Sequence, residues 1–189
     1  MTPAFSARAL TQQATLMTDR LRLEQLGPAH FPGTWAALAD EESNRLTGTH
    51  ATFTPEAVRD HLGRLPGRAD RADWAVVRQI DGAHVGEAVL NELDPDNLSM
   101  NYRILLFPDG GQGQGFGVEV TRAVLTYGFD VVGLHRISLG VYAFNPRARR
   151  VYERCGFVVE GTERDALRWN GRWVDQIRMA MLASDPRPW

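Results

Sequence analysis

The sequence predicts an α+β fold built on a mixed sheet. Three observations carry that expectation. Short stretches with two-residue apolar alternation or a run of β-formers recur along the chain, as half-buried strands do. Helical spacing falls between only some of them, so strict strand–helix alternation fails. Turn residues, such as the DPDN at 94–97 and the Asn170-Gly171 pair, set strands directly against one another. Residues 16–189 read as a single domain. Residues 1–15 read as a polar tail or a loosely docked arm.

The elements follow in order. TDRLRLEQ, residues 18–25, alternates Leu21 and Leu23 with charge and reads as a strand. Residues 28–38 open on a proline and read as a helix. Residues 55–65 read as a second helix, with Thr54 as its N-cap and Pro55 at its first position. DWAVVR (73–78) and HVGEAVL (84–90) are strands joined by the turn IDGA, and LSMNYRILLF (98–107) is a longer strand. A glycine-rich stretch then leads into a helix reaching about residue 131. ISLGVYAF (137–144) is a strand and 146–155 a helix. FVVEGTERDAL (157–167) and WVDQIRMAML (173–182) close the chain as strands around the Asn-Gly turn.

Composition removes several function classes. A net charge of −2 is wrong for a general nucleic-acid binder. No apolar run approaches the roughly 20 residues that span a bilayer, so no membrane partner is expected. The first residues lack the apolar core of a signal peptide, and the single cysteine, Cys155, leaves no intramolecular disulfide. A cytoplasmic protein without a metal is the expectation. Cys155 has no base beside it in the sequence and reads as packing.

The chemistry concentrates at GGQGQGFG, where glycines stand at 110, 111, 113, 115 and 117. A phosphate loop of the G-x-x-x-x-G-K-[ST] type fails, because no lysine is near. The dinucleotide fingerprint G-x-G-x-x-G fails in every register. What remains is Gln112-x-x-Gly115-x-Gly117 between a strand and a helix. Bare main chain at a helix N-terminus favours a phosphate group; a flexible capped loop is the plainer alternative. In the helix, Val120, Val124, Tyr127 and Val131 recur at helical spacing and are expected to face the sheet. Glu119 and Arg122 fall on the other side, as a solvated ion pair.

Further along stands Asn145-Pro-Arg-Ala-x-x-x-Tyr152-Glu-x-x-Gly156-Phe157. This motif and the glycine stretch together resemble the acetyl-CoA site of the GNAT acetyltransferase superfamily. LHRISLGVYAFNPRARRVYERCGFVVEG is most similar to its RimJ/RimL-like branch, and the resemblance runs over about residues 18–182. It implies a mostly antiparallel sheet flanked by helices and splayed between its central strands. It also implies acetyl-CoA as co-substrate. The stretch Gln112, Gly113, Gln114, Gly115, Phe116, Gly117 and Val118 would cradle the pyrophosphate through its amides. Leu105, Leu106 and Phe107 would flank the pantetheine arm like an added strand. A backbone N–H there would hold the acetyl carbonyl as charge develops, a class of contact worth roughly 3 kcal/mol. Two departures are visible. Pro108 lies one residue further from the motif than is usual. Val118 and Val120 replace the Thr and Ala common in this branch.

The resemblance makes Tyr152 the proton donor to the leaving thiolate, with a core tyrosine as the alternative. Asn145 would cap its helix and bond pantetheine or substrate, and Arg149 and Arg150 would reach phosphates. Glu87 and Glu92 are the candidate bases by position. His50, Trp35, Trp74 and Tyr102 are candidates to shape the acceptor pocket. The implied reaction is acetyl transfer to a primary amine by direct attack in a ternary complex, since no nucleophile with a base is evident. The acceptor stays open among a protein N-terminus, an amino-sugar antibiotic, a polyamine and an aminoacyl conjugate, for a monomer or homodimer. A non-catalytic acyl-CoA sensor, or a transferase using succinyl-CoA, is the alternative.

Overall fold

A computed structural model of the chain describes residues 4–189. Residues 1–3 of the expected tail lie outside the described residues. Eight strands form one sheet: β1 (Leu16–Met17), β2 (Leu21–Gln25), β3 (Ala72–Arg78), β4 (His84–Asp94), β5 (Ser99–Leu106), β6 (Arg136–Tyr142), β7 (Val158–Trp169) and β8 (Arg172–Leu182). Their order is β1-β2-β3-β4-β5-β6-β8-β7. Every pairing is antiparallel except β5 with β6. The expected mixed, mostly antiparallel sheet is therefore present.

Helices cover both faces. On one side lie α5 (Phe116–Tyr127) and α6 (Pro146–Arg154), with Val120, Val124 and Leu125 fully buried against Leu90, Met100 and Ile137. On the other lie α2 (Phe31–Leu38), entered through a 3-10 turn at Pro28–His30, then α3 (Glu41–Thr47) and α4 (Pro55–Arg64). A second core forms there from Val58, Leu62 and Leu65 against Ala75 and Val77 of β3. Local chemistry fixes these ends. Thr54 caps α4 by accepting from the amide of Ala57 at 3.2 Å. Asp40 caps α3 at 2.7 Å through Ser43, and Glu41 and Glu42 follow in the favourable first turn. Asn170 and Gly171 both take positive φ, 47° and 79°, as a tight turn between twisted strands requires.

Two expectations change, and for residues 4–15 one of the two alternatives is seen. α3 was not anticipated: its seven residues, EESNRLT, offer one apolar side chain and no periodicity. Val131 does not face the sheet but is 48% exposed, while Val132 is buried. The reason is a π-helical turn over Gly128–Val132 that prolongs α5. Its wider i→i+5 winding retards the phase, so the residue one place later points inward. Within the N-terminal segment, residues 4–15 form a docked arm. Ser6 caps α1 (Ala7–Thr11), Leu10 is 1% exposed in the main core, and the Tyr127 hydroxyl donates to the Ala9 carbonyl. Gln13 adds a two-way bond with the main chain of Asp73.

Leu10→Ala should therefore lower stability by about 2–4 kcal/mol in urea unfolding, as a buried leucine does. A change below about 0.5 kcal/mol, the size of a surface substitution, would show that the arm is not packed.

Candidate active site

The site begins where two strands part. β5 and β6 are in register only at Ser99↔Arg136, Met100↔Ile137 and Asn101↔Ser138. Beyond these rungs β5 stays paired to β4 as far as Leu106, and β6 stays paired to β8 as far as Tyr142. The inner edges of both strands diverge around a cleft of about 380 Å³. The hydrogen-bond phase shows which groups face it. Phe107 donates to Val85 of the β4 side, whereas the Leu98 carbonyl accepts from Arg136 on the β6 side. Antiparallel alternation then aims the peptide groups of Tyr102, Ile104 and Leu106 into the cleft. One is already met: the Leu106 carbonyl accepts from Gln112 Nε2 at 3.1 Å.

The glycine loop closes one end. Gly111 is pressed so tightly at its root that a Cβ would stand 2.2 Å from the Val85 carbonyl. Its amide closes the turn after Pro108 by donating to the Phe107 carbonyl at 3.1 Å. Gly113 and Gly115 take φ of 80° and 81°, and the space beside Gly113 is open. Among the described residues, no backbone N–H from Gln112 to Gly117 donates to a protein acceptor. A row of free amides at the start of a twelve-residue helix is an anion cradle. Arg20 braces it, donating to the Gln114 carbonyl at 2.9 Å and pairing with Glu119 at 2.6 Å, its guanidinium 4.7 Å above the Phe116 ring. Glu119 thus pairs with Arg20 and not with Arg122, which lies over Trp189. Phe116 and Phe107 contribute main chain to this region while their rings are buried, 2% and 7% exposed. Gly117 lines the cleft, and Val118 packs its side chain against the core.

α6 supplies the opposite wall. Asn145 caps it by accepting from Ala148 at 3.1 Å, which leaves its amide nitrogen free toward the cleft it lines. Tyr152, two turns on, lines the same cleft amid Tyr102 and Phe157. Burial pushes its phenol well above the ordinary tyrosine range, and Cys155 nearby adds to this. The hydroxyl is therefore protonated at neutral pH. Arg149 turns away, bound to Glu153 at 2.8 Å on the solvent side. Helical spacing explains the exchange: Arg147 and Val151, four apart, share the cleft face that Arg149 cannot reach. Arg147 Nη1 sits 3.4 Å from Gln112 Oε1. Cys155 is buried, and burial pushes its thiol up to about 11, which makes it inert.

The structure does not bring Glu87 to the cleft. Its strand position points it beneath α2, where Thr34 donates to it at 2.5 Å. Desolvation raises its pKa above the ordinary carboxylate value, against the opposing pull of that hydrogen bond. Glu92, five residues on, does line the cleft. A bulge between Asn91 and Asp94 and a φ of 55° turn Glu92 out of the ladder phase. Three aromatic or imidazole candidates lie elsewhere. Trp35 packs into the second core, Trp74 is fully buried with its indole donating to Ala14, and His50 stacks on Trp169 at 4.8 Å. Residues that sequence patterns missed complete the cleft: Leu46 and Thr47 from α3, Gly140 and Tyr142 from β6, Gln176 and Arg178 from β8. For the strand residues the only signal is the alternation that puts 140 and 142, and 176 and 178, on one face; nothing local marks Leu46 and Thr47.

Comparison with known proteins places this geometry. The family model of the acetyltransferase (GNAT) domain matches residues 20–158. The chain is 37% identical over 100 residues to a spermidine N(1)-acetyltransferase of Vibrio cholerae, a match covering 53% of this chain and 57% of that protein. It is 40% identical over 136 residues to the probable N-acetyltransferase YjcK of Bacillus subtilis, covering 70% and 75%. In three dimensions it resembles the Vibrio cholerae spermidine N-acetyltransferase crystallised with CoA and spermine. The TM-score is 0.83 at 24% identity, over 88% of this chain and 98% of that one, which shows a shared fold.

The placement of Glu87 has a measurable consequence. Its raised pKa means that the folded state holds the proton better than the unfolded chain. Stability is then lost as pH rises from the ordinary glutamate range, about 4.3, through the folded value. Glu87→Gln should gain on the parent across that window and hold the gain at pH 7, in urea unfolding at a series of pH values. A difference that stays flat from pH 4 to 7 would mean an unperturbed carboxylate.

Proposed function

The chain belongs to the GNAT acetyltransferase family, and on that premise we propose that it transfers an acetyl group from acetyl-CoA to a primary amine, both bound at once. The observation that carries this reading is the divergence of β5 from β6, with the amide cradle at one end and Tyr152 in the wall. Coenzyme A brings a pyrophosphate, an extended amide-containing arm and an acetyl thioester that an amine can attack. Each part has a counterpart here. The free amides of Gln112–Gly117 would hold the pyrophosphate, and Arg147 stands beside them. The inward peptide groups of Ile104 and Leu106 would pair with the arm, as an added strand pairs with a sheet edge. The free Asn145 amide nitrogen points to the same arm.

Proton movement then falls to two side chains. Glu92 would take the proton that the amine sheds as its nitrogen bonds to the acetyl carbon. Tyr152, protonated and lining the cleft, would give its proton to the sulfur as the carbon–sulfur bond breaks. No covalent acyl-enzyme is required, because Cys155 is buried with its thiol suppressed. An acceptor amine with a pKa near 8, such as an α-amino group, is already partly neutral and needs only this weak base. A small amine like that named for the Vibrio relative is of the same reacting class. Residues 16–189 would act together as the transferase domain, with the docked arm as a brace.

Tyr152→Phe keeps the ring and removes only the hydroxyl. Turnover at saturating substrates, read as thiol released from acetyl-CoA, should fall on the order of 100-fold while the KM for acetyl-CoA changes little. Unchanged kcat with a lowered Tm would make Tyr152 a packing residue. Tight acetyl-CoA binding by the parent protein, without thiol release on any amine, would instead favour a sensor.

A further inference from the structure

The acceptor side of the cleft carries a charge pattern of its own. Strand register identifies that side. Tyr102 points toward α5, where its hydroxyl lies 3.0 Å from Thr121, so the next residue, Arg103, points to the opposite face. Met179 and Met181 of β8 are fully buried in the same core as α5, so Arg178 and Gln176 also point to the opposite face. Arg103 stands on the β5 wall and Arg178 on the β6–β8 wall, and both line the cleft. Gly140 lies directly across from Arg178 in the ladder. A Cβ there would meet the Gln176 amide at 2.5 Å, so the bare position lets Gln176 lie across β6 into the cleft.

Neither arginine sits in a tight ion pair. Arg103 has none among the described residues and acts on Glu87 only through space, and Arg178 has one loose, solvent-exposed pair, with Glu163 at 3.8 Å. Arg20, by contrast, meets its glutamate at 2.6 Å. Among the described residues, Glu92 is the one acidic residue lining the cleft, against Arg103, Arg147 and Arg178. Arg147 belongs to the amide-cradle end, near Gln112. The acceptor end therefore holds one carboxylate and two guanidiniums on facing walls.

Resting on the acetyl-transfer reading above, we propose that the acceptor is a primary amine with a carboxylate a few bonds away, held by Arg103 and Arg178 while Glu92 meets the amine. Guanidinium groups match a carboxylate with paired donors. A polyamine would instead bring its further ammonium groups against two like charges. The chain would on this account share its reaction with the spermidine-named relatives and differ from them in acceptor.

A matched panel tests it. Thiol release from acetyl-CoA is measured with 4-aminobutyrate, 1,4-diaminobutane, spermidine, uncharged propylamine, free L-glutamate, and a short amidated peptide with aspartate at its second position. The last two separate a free amino acid from a peptide terminus as the source of the carboxylate. Carboxylate-bearing amines should exceed the cationic ones in kcat/KM by about tenfold or more, the scale of a charge-assisted hydrogen bond. In Arg103→Gln and in Arg178→Gln, the ratio of carboxylate amine to propylamine should fall by about tenfold, through the acceptor KM. Preference for 1,4-diaminobutane or spermidine, or an unchanged ratio in both variants, overturns the proposal and leaves acetyl transfer standing. Calorimetric binding of 4-aminobutyrate that depends on both arginines, without thiol release on any amine, keeps the anion site and removes acetyl transfer. Absence of both binding and release overturns both.

Discussion

Everything at this site depends on a pair of parallel strands that touch over three rungs and then separate. A sheet strand normally satisfies its main chain on both edges, and buried unpaired peptide groups are costly. Here β5 and β6 keep their outer partners, β4 and β8, and leave their inner edges open. The cleft between them therefore presents directed donors and acceptors without further backbone rearrangement. An extended, amide-containing ligand completes those bonds much as a strand would. The shape of the site and its recognition chemistry have one cause.

The surrounding elements hold that separation and give its two ends different chemistry. At one end Gln112 Nε2 ties the glycine loop to the open edge of β5 through the Leu106 carbonyl. Arg20, reaching from the β1–β2 turn, fixes the loop through Gln114 and the first turn of α5 through Glu119. The docked arm buries Leu10 in the core behind α5, so the helix that offers its amides is supported from below. At the other end α3 closes over the cleft at its C-terminal glycine. A Cβ on Gly48, at φ 67°, would collide with the Tyr142 hydroxyl at 2.5 Å. Leu46 and Thr47 are thereby held at the acceptor mouth.

The sequence makes the scaffold and the cradle legible for physical reasons. Leu21 and Leu23, or Asn170-Gly171, are local signals whose cause lies within a few residues. The glycine loop is equally local, because bare main chain before a helix has few other uses. What escaped depends on contacts distant in the chain. Glu87 and Glu92 lie five apart on one strand, and a bulge decides which of them meets the cleft. Arg149 is expected at the phosphates from the motif, but helix phase and Glu153 turn it away, and Arg147, which the motif reading does not single out, takes the cleft face. Val131 followed a 3.6-residue pattern that a π turn interrupts. α3, with a single leucine, is made by its Asp40 cap and its packing against Tyr142, not by periodicity. Arg178 and Gln176 reach the cleft through an antiparallel register that the final strands reveal only when folded.

The central claim is that the open edge of β5 pairs with an extended ligand. Amide hydrogen exchange with and without saturating coenzyme A measures this directly, residue by residue. The amides of Ile104 and Leu106 should exchange much more slowly when coenzyme A is bound, together with those of Gln112–Gly117, while Arg103 and Leu105, already bonded to β4, change little. Protection confined to the glycine loop, with Ile104 and Leu106 unaffected, would contradict the account.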